Sequence, residues 1–205
     1  MNRRAMLSRR VLSLAAVLSL ALLSGCGSPA AAPAADPPLA GSTIGGPFEL
    51  VDSHSQTRRW SDFDGQYRIV YFGFTYCPDV CPTDVQRLSQ GLQKFEAAEP
   101  ALGKKVQPIF ISIDPERDKP AKVGEFVSHF HPRLVGLTGT PEQVRAAADA
   151  FKVFYEKGDP GSDGQYMMNH SAVSYLFGPK GEPLATLPTD QGPDAVAAEL
   201  EKWVS

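Results

Sequence analysis

Apolar positions recur along this chain with two different periods. Residues Arg68 to Phe74, RIVYFGF, are almost continuously apolar or aromatic over the length of a strand, as in a strand covered on both faces. VQPIFISID, Val106 to Asp114, is a second run of this kind. Between the two the spacing changes. Val85, Leu88, Leu92 and Phe95 fall on one stripe of a helix predicted from Pro82 to about Ala98, with proline in its first turn. Val123, Phe126, Val127 and Phe130 predict another helix over Pro120 to Phe130. Thr140, Pro141 and Gln143 make a capping-box start for a third, whose apolar face is Val144, Ala147, Ala148 and Phe151.

The ends of the folded region read more briefly. A strand at Phe48 to Asp52, a polar turn at His54, Ser55 and Gln56 and a partner strand reaching Trp60 predict an N-terminal β-hairpin. HSAVSYLF and EPLATLP flank the turn Gly178 to Gly181 as a second hairpin, and Val196, Leu200 and Trp203 mark a last amphipathic helix. No internal repeat is visible. This order predicts an α/β fold with a central mixed sheet flanked by helices, compatible with a thioredoxin-like arrangement. Chemistry in such sheets collects at the carboxyl ends of strands, which is where Cys77 and Cys81 fall.

Ahead of residue 48 the composition shifts. MNRRAMLSRR is basic, and the thirteen residues Val11 to Leu23 are apolar or serine. As a helix they would rise only about 20 Å against a hydrocarbon core of roughly 30 Å, so residues 1–25 read as a signal peptide and not a span. LSGC, Leu23 to Cys26, matches a bacterial lipoprotein processing box, in which Cys26 takes the lipid. Residues 27–47 contain five prolines and few bulky apolar side chains, the composition of a semi-extended tether, so the expected domain runs from 48 to 205.

Charge narrows the function. The whole chain carries a formal −3, and losing residues 1–25 with their four arginines moves it to −7, with no basic stretch to grip phosphates. Nucleic acid is thereby a poor partner. With Cys26 lipidated, Cys77 and Cys81 are the remaining thiols, four positions apart in FGFTYCPDVCP, in a compartment that favours disulfides.

Three chemistries suit that pair. A structural disulfide closing so short a loop would stabilise the fold by only about 2 kcal/mol. A catalytic dithiol is the second: Cys81 would sit at a helix N-terminus, where the dipole favours thiolate, although the usual redox motif has two intervening residues and this one has three. The third is a metal site, since paired soft sulfurs select Cu(I), with zinc as competitor, and need an imidazole to complete the shell. Of the four histidines, His54 lies in a polar turn and His129 and His131 at a helix end. His170, in YMMNHSAVSYLF, follows a loop and opens a predicted strand, from which its ring would reach the cysteine loop. Met167 and Met168 are adjacent, so in an extended chain at most one could face a metal.

FGFTYCPDVCP, FISIDPERD and YMMNHSAVSYLFGPKG together resemble the Sco/SenC family of copper-binding assembly proteins, across about residue 44 to the C-terminus. The resemblance implies a thioredoxin-like, membrane-tethered domain in which Cys77, Cys81 and His170 bind one copper ion, Cu(I) or Cu(II). It implies a role in assembling the CuA centre of cytochrome c oxidase subunit II, with another periplasmic copper carrier or a thiol reductant as a further partner. It also implies a place in the bacterial envelope, lipid-anchored on the outer face of the cytoplasmic membrane. A thiol-disulfide reductase acting on the acceptor's copper-binding cysteines is the alternative activity of the same sulfurs. Asp114 and Asp118 in DPERD read either as turn and cap residues or as carboxylates that steer a partner or assist transfer.

Overall fold

The computed structural model describes residues 36–162 and 164–205, so residues 1–25, expected to be a signal peptide, and Cys26 lie outside the described residues. The first hairpin is β1 (Glu49–Asp52) and β2 (Thr57–Arg59), followed by a 3₁₀ turn at Trp60–Phe63. β3 (Tyr67–Gly73) is buried at all seven positions, as its unbroken apolar run requires. α1 (Val80–Ala98) leaves from its carboxyl end, with a short α2 (Pro100–Gly103) behind it. β4 (Val106–Ser112), α3 (Pro120–Ser128), β5 (Val135–Thr138) and α4 (Pro141–Ala150) complete the parallel part. Then come a small ribbon of β6 (Tyr155–Lys157) and β7 (Met168–His170), the hairpin β8 (Ser174–Phe177) and β9 (Pro183–Thr186), and α5 (Pro193–Trp203).

Seven strands form one sheet in the order β2-β1-β5-β4-β3-β8-β9. β3, β4 and β5 run parallel; the other pairings are antiparallel, which makes the sheet mixed. β6 and β7 pair only with each other, outside that sheet. Tyr71 and Phe72, adjacent on β3, face opposite layers. Tyr71 reaches α1, where its hydroxyl donates to Asp84, and Phe72 enters an aromatic cluster with Phe151, Phe177, Trp60 and Phe48. α1 and α5 meet at Gly91, where a Cβ would stand 2.5 Å from Val196.

Two expectations change, and one strand was not foreseen. Order begins before Phe48: Leu39 N–H donates to Leu184 O (2.9 Å), Gly45 N–H to Ala150 O (3.0 Å), and Leu39 and Ile44 pack on the core. Two bulky side chains suffice there because main-chain bonds to β9 and α4 and the close approach of Gly45 to the Phe177 ring also hold the segment. β5 escapes periodicity because it is four residues long and includes Gly136, which lets Val123 and Val127 of α3 lie close. HSAVSYLF is not one strand either: His170 ends β7, and residues 171–173 belong to neither sheet before β8 starts at Ser174.

Candidate metal centre

β3 ends at Gly73, and four residues later Cys77 lies in the loop that leads into α1. Cys77 is 8% exposed and Cys81 fully buried; both are free thiols. Gly73 makes room for them: a Cβ there would stand 3.1 Å from Cys81 Sγ and 2.9 and 3.0 Å from the Tyr71 and Phe110 rings. The helix N-terminus addresses a different sulfur from the one expected. Cys81 N–H donates to Cys77 Sγ at 3.3 Å, while the Cys81 side chain turns inward against β3. Burial, and secondarily the neighbouring Cys77, push the Cys81 thiol well above its ordinary value. The expected lowering of Cys81 by the dipole is therefore overturned, because desolvation of a fully buried sulfur outweighs a helix end that points elsewhere.

His170 arrives from the ribbon. Its Nε2 stands 3.4 Å from Cys81 Sγ, across 89 residues of sequence. Its Nδ1 lies 3.1 Å from the Ser171 carbonyl, which can only accept, so Nδ1 carries the proton and the Nε2 lone pair faces the sulfur. Burial lowers the His170 pKa and keeps the ring neutral, as a ligand must be. The ring is held edge-on by Tyr71 and Phe74 at centroid distances of 6.4 and 5.9 Å.

The Cys81–His170 separation suits two atoms bonded to one ion at about 2.0–2.3 Å each. Soft sulfur and neutral imidazole together fit Cu(I) or Zn(II) better than a hard cation. Among the described residues, though, no three His, Cys, Asp or Glu side chains are already arranged to hold an ion. The other histidines stand apart. His54 and His129 are exposed, and His131 is buried, with Nε2 3.4 Å from Glu96 and Nδ1 accepting from Arg133 N–H. Met167 is 47% exposed and Met168 8%, as neighbours on a strand should be.

Asp114 and Asp118 are buried at 2% and 0% exposure, so neither presents charge to a docking partner. Asp118 accepts from Thr75 N–H (2.9 Å), Thr75 hydroxyl (2.6 Å) and Ser112 hydroxyl (2.6 Å); burial raises its pKa despite these bonds. Asp114 accepts from Arg117 (2.5 Å) and the Tyr166 hydroxyl (2.9 Å). Four residues around the site escaped the sequence reading: Tyr71, Asp84, Arg117 and Tyr166. For Asp84 a signal existed, since a carboxylate three residues after Cys81 shares its helix face. For Tyr71 the signal was a hydroxyl inside an apolar strand, which needs a partner; Asp84 Oδ2 at 3.1 Å supplies it.

The SCO1/SenC family model matches residues 36–205. The chain belongs to that family. The mitochondrial SCO2 homolog of Mus musculus is 47% identical over 136 residues, covering 66% of this chain and 52% of that protein. The chain thus spans about half the length of the curated relatives it matches. Among solved structures, copper-bound ScoI of Arabidopsis thaliana superposes with a TM-score of 0.73 at 36% identity, covering 78% of this chain and 96% of that one. Copper-bound ScoI of Bradyrhizobium japonicum gives 0.70 at 35%, covering 78% and 99%. As in those SCO1/SenC proteins, the sheet and its flanking helices form a thioredoxin-like domain. Among the described residues no helix is long and apolar enough to cross a membrane.

Proposed function

We propose that this SCO1/SenC protein is a copper chaperone that binds one copper ion through Cys77, Cys81 and His170 and passes it to the CuA site of cytochrome c oxidase subunit II. The observation that carries this is the 3.4 Å approach of a neutral, correctly oriented His170 Nε2 to Cys81 Sγ, with Cys77 alongside. A structural cysteine pair has no use for an imidazole so placed. Family membership and the copper bound by two relatives support the same reading.

Binding replaces both thiol protons by the metal, so loading releases protons and is favoured by rising pH. Transfer follows by ligand exchange, an acceptor sulfur joining as a protein ligand leaves. Oxidation to a Cys77–Cys81 disulfide removes both sulfur ligands and switches binding off. A lipid at Cys26 would confine the domain to the outer face of the cytoplasmic membrane, where its acceptor lies.

Anaerobic Cu(I) titration of the reduced chain against a competing chelator tests this with wild type, Cys77→Ser and His170→Ala. One tight equivalent, weakened sharply in both variants, is expected. Affinity indifferent to His170 would overturn the three-ligand site and favour a thiol-disulfide reductase acting on the acceptor's cysteines.

A further inference from the structure

We propose that the loop Asp114–Asp118, at the carboxyl end of β4, is the hub that sets the distance between the two halves of the metal centre: Asp118 holds the cysteine loop and Arg117 holds the histidine ribbon. The inference rests on the copper-site reading above and names positioning residues for it.

The backbone support common to the two halves stops short of the ligands: β3 pairs with β8 as far as Tyr71 and Ser174, and His170 lies four residues before that pair. Cys77 and Cys81 follow β3, inside the main sheet, whereas His170 ends a ribbon of three paired residues that joins no other strand. Over those last residues, side-chain contacts add to the main-chain ones in fixing the 3.4 Å between Cys81 and His170. On the cysteine side, Asp118 receives both the amide and the hydroxyl of Thr75, two residues before Cys77, and is itself pinned to β4 by Ser112.

On the histidine side the contacts converge on Arg117. Its Nε donates to Asp114 and its Nη1 to the carbonyl of Tyr166 at 2.9 Å, four residues before His170. The Tyr166 hydroxyl returns to Asp114, closing a ring of three residues. The guanidinium carbon lies 3.6 Å from the Tyr166 ring centroid and 4.7 Å from that of Tyr76, which precedes Cys77. One planar cation is therefore in contact with a residue of each half. Among the described residues its Nη2 is buried without a hydrogen-bond partner, so stacking as well as hydrogen bonding selects this side chain. Glu116 of the same loop adds a pair with Lys157 of β6 at 2.5 Å. The ribbon's other anchor, Arg145 of α4 over Tyr155 at 3.7 Å, touches β6 and not the cysteine loop.

Residues beyond the ligands that orient them typically change metal affinity by about tenfold to a hundredfold. Lysine cannot replace Arg117, since a point charge neither stacks on two rings nor bonds two acceptors in one plane.

The test is a double-mutant cycle on the full reduced chain, with anaerobic Cu(I) titration and thermal melts of each metal-free variant. Arg117→Gln is expected to weaken copper by about tenfold or more in the wild-type background. Its effect on the residual affinity of His170→Ala should be much smaller, because only the Tyr76 contact then still bears on the site. Arg117→Lys should fail to rescue. Asp118→Asn should weaken copper in both backgrounds, because it acts through the cysteine loop. Equal losses from Arg117→Gln in both backgrounds, or no loss in a folded variant, would overturn the proposal. Should Arg117→Gln not fold, Tyr166→Phe, which deletes one hydroxyl, enters the same cycle. Should wild type bind no tight copper, the site reading fails separately. The hub is then judged by amide exchange at Asn169 and His170: faster exchange in Arg117→Gln supports it, and unchanged exchange sinks it.

Discussion

The two halves of the candidate metal centre are built by different means. The cysteine half belongs to the core: β3 is buried throughout, bonded to β4 on one side and β8 on the other, and continues into nineteen residues of helix. The histidine half is a three-residue ribbon outside the main sheet, bordered by Phe154 and Met167 at 59% and 47% exposure. The lesson is that the sulfurs share the stability of the whole domain. The imidazole is placed by side-chain contacts, which open at lower cost than a central strand.

The largest effect on that contrast should come from Asp118→Ala. It leaves the buried Ser112 hydroxyl and the half-buried Thr75 amide and hydroxyl without their acceptor, and we expect a loss of about 2–4 kcal/mol in urea unfolding. An unchanged midpoint would show that the cysteine loop holds itself. Gly73→Ala comes next, since its Cβ meets two rings and Cys81 Sγ; about 1–3 kcal/mol is expected, with no change in the urea m-value.

Lowering pH should distinguish the halves further. Burial lowers the folded pKa of both His170 and His131 below the ordinary 6.5, with Glu96 opposing the shift at His131 and Arg133 adding to it. The unfolded chain then takes up protons first as pH falls, so stability present above about pH 6.5 is lost below it. Metal-free protein should show this loss in urea titrations from pH 7 to 5, and His131→Gln should reduce it. A stability flat over that range would contradict the burial of both rings. The smallest global effect is expected from Arg145→Gln, within about 0.5 kcal/mol. Amide exchange at Met168 to His170 should nonetheless quicken, because the ribbon loses its stacking partner on Tyr155.

Much of the fold was legible. Residues 68–74 read as a strand covered on both faces because every position is apolar or finds a buried partner, and even Arg68 is wholly buried, over Trp60 at 4.1 Å. The Thr140–Gln143 capping box starts α4 as expected, with Gln143 N–H donating to the Thr140 hydroxyl and the Gln143 side chain accepting from Thr140 N–H. β5 and the ribbon were not legible, being too short for a period to develop. The early start of order at Leu39 was hidden for another reason: its partner is Leu184, and nothing local announces an edge strand in need of cover.

The candidate site divides the same way. Spacing alone placed Cys77 and Cys81 at a strand-to-helix junction, and a lone imidazole near a strand was a candidate to join them. Which sulfur receives the helix amide, why Cys81 is pushed up, and how Asp114 and Asp118 act all depended on packing. Sequence patterns report interactions within a strand or a few helical turns, where residue spacing dictates direction. The 3.4 Å between Cys81 and His170 spans 89 residues, and the contacts around it, strand order and a half-buried arginine between two rings, are long-range. Those contacts exist only once the sheet has formed and water has left, which is why the chain named the candidate ligands and the fold alone decided their geometry.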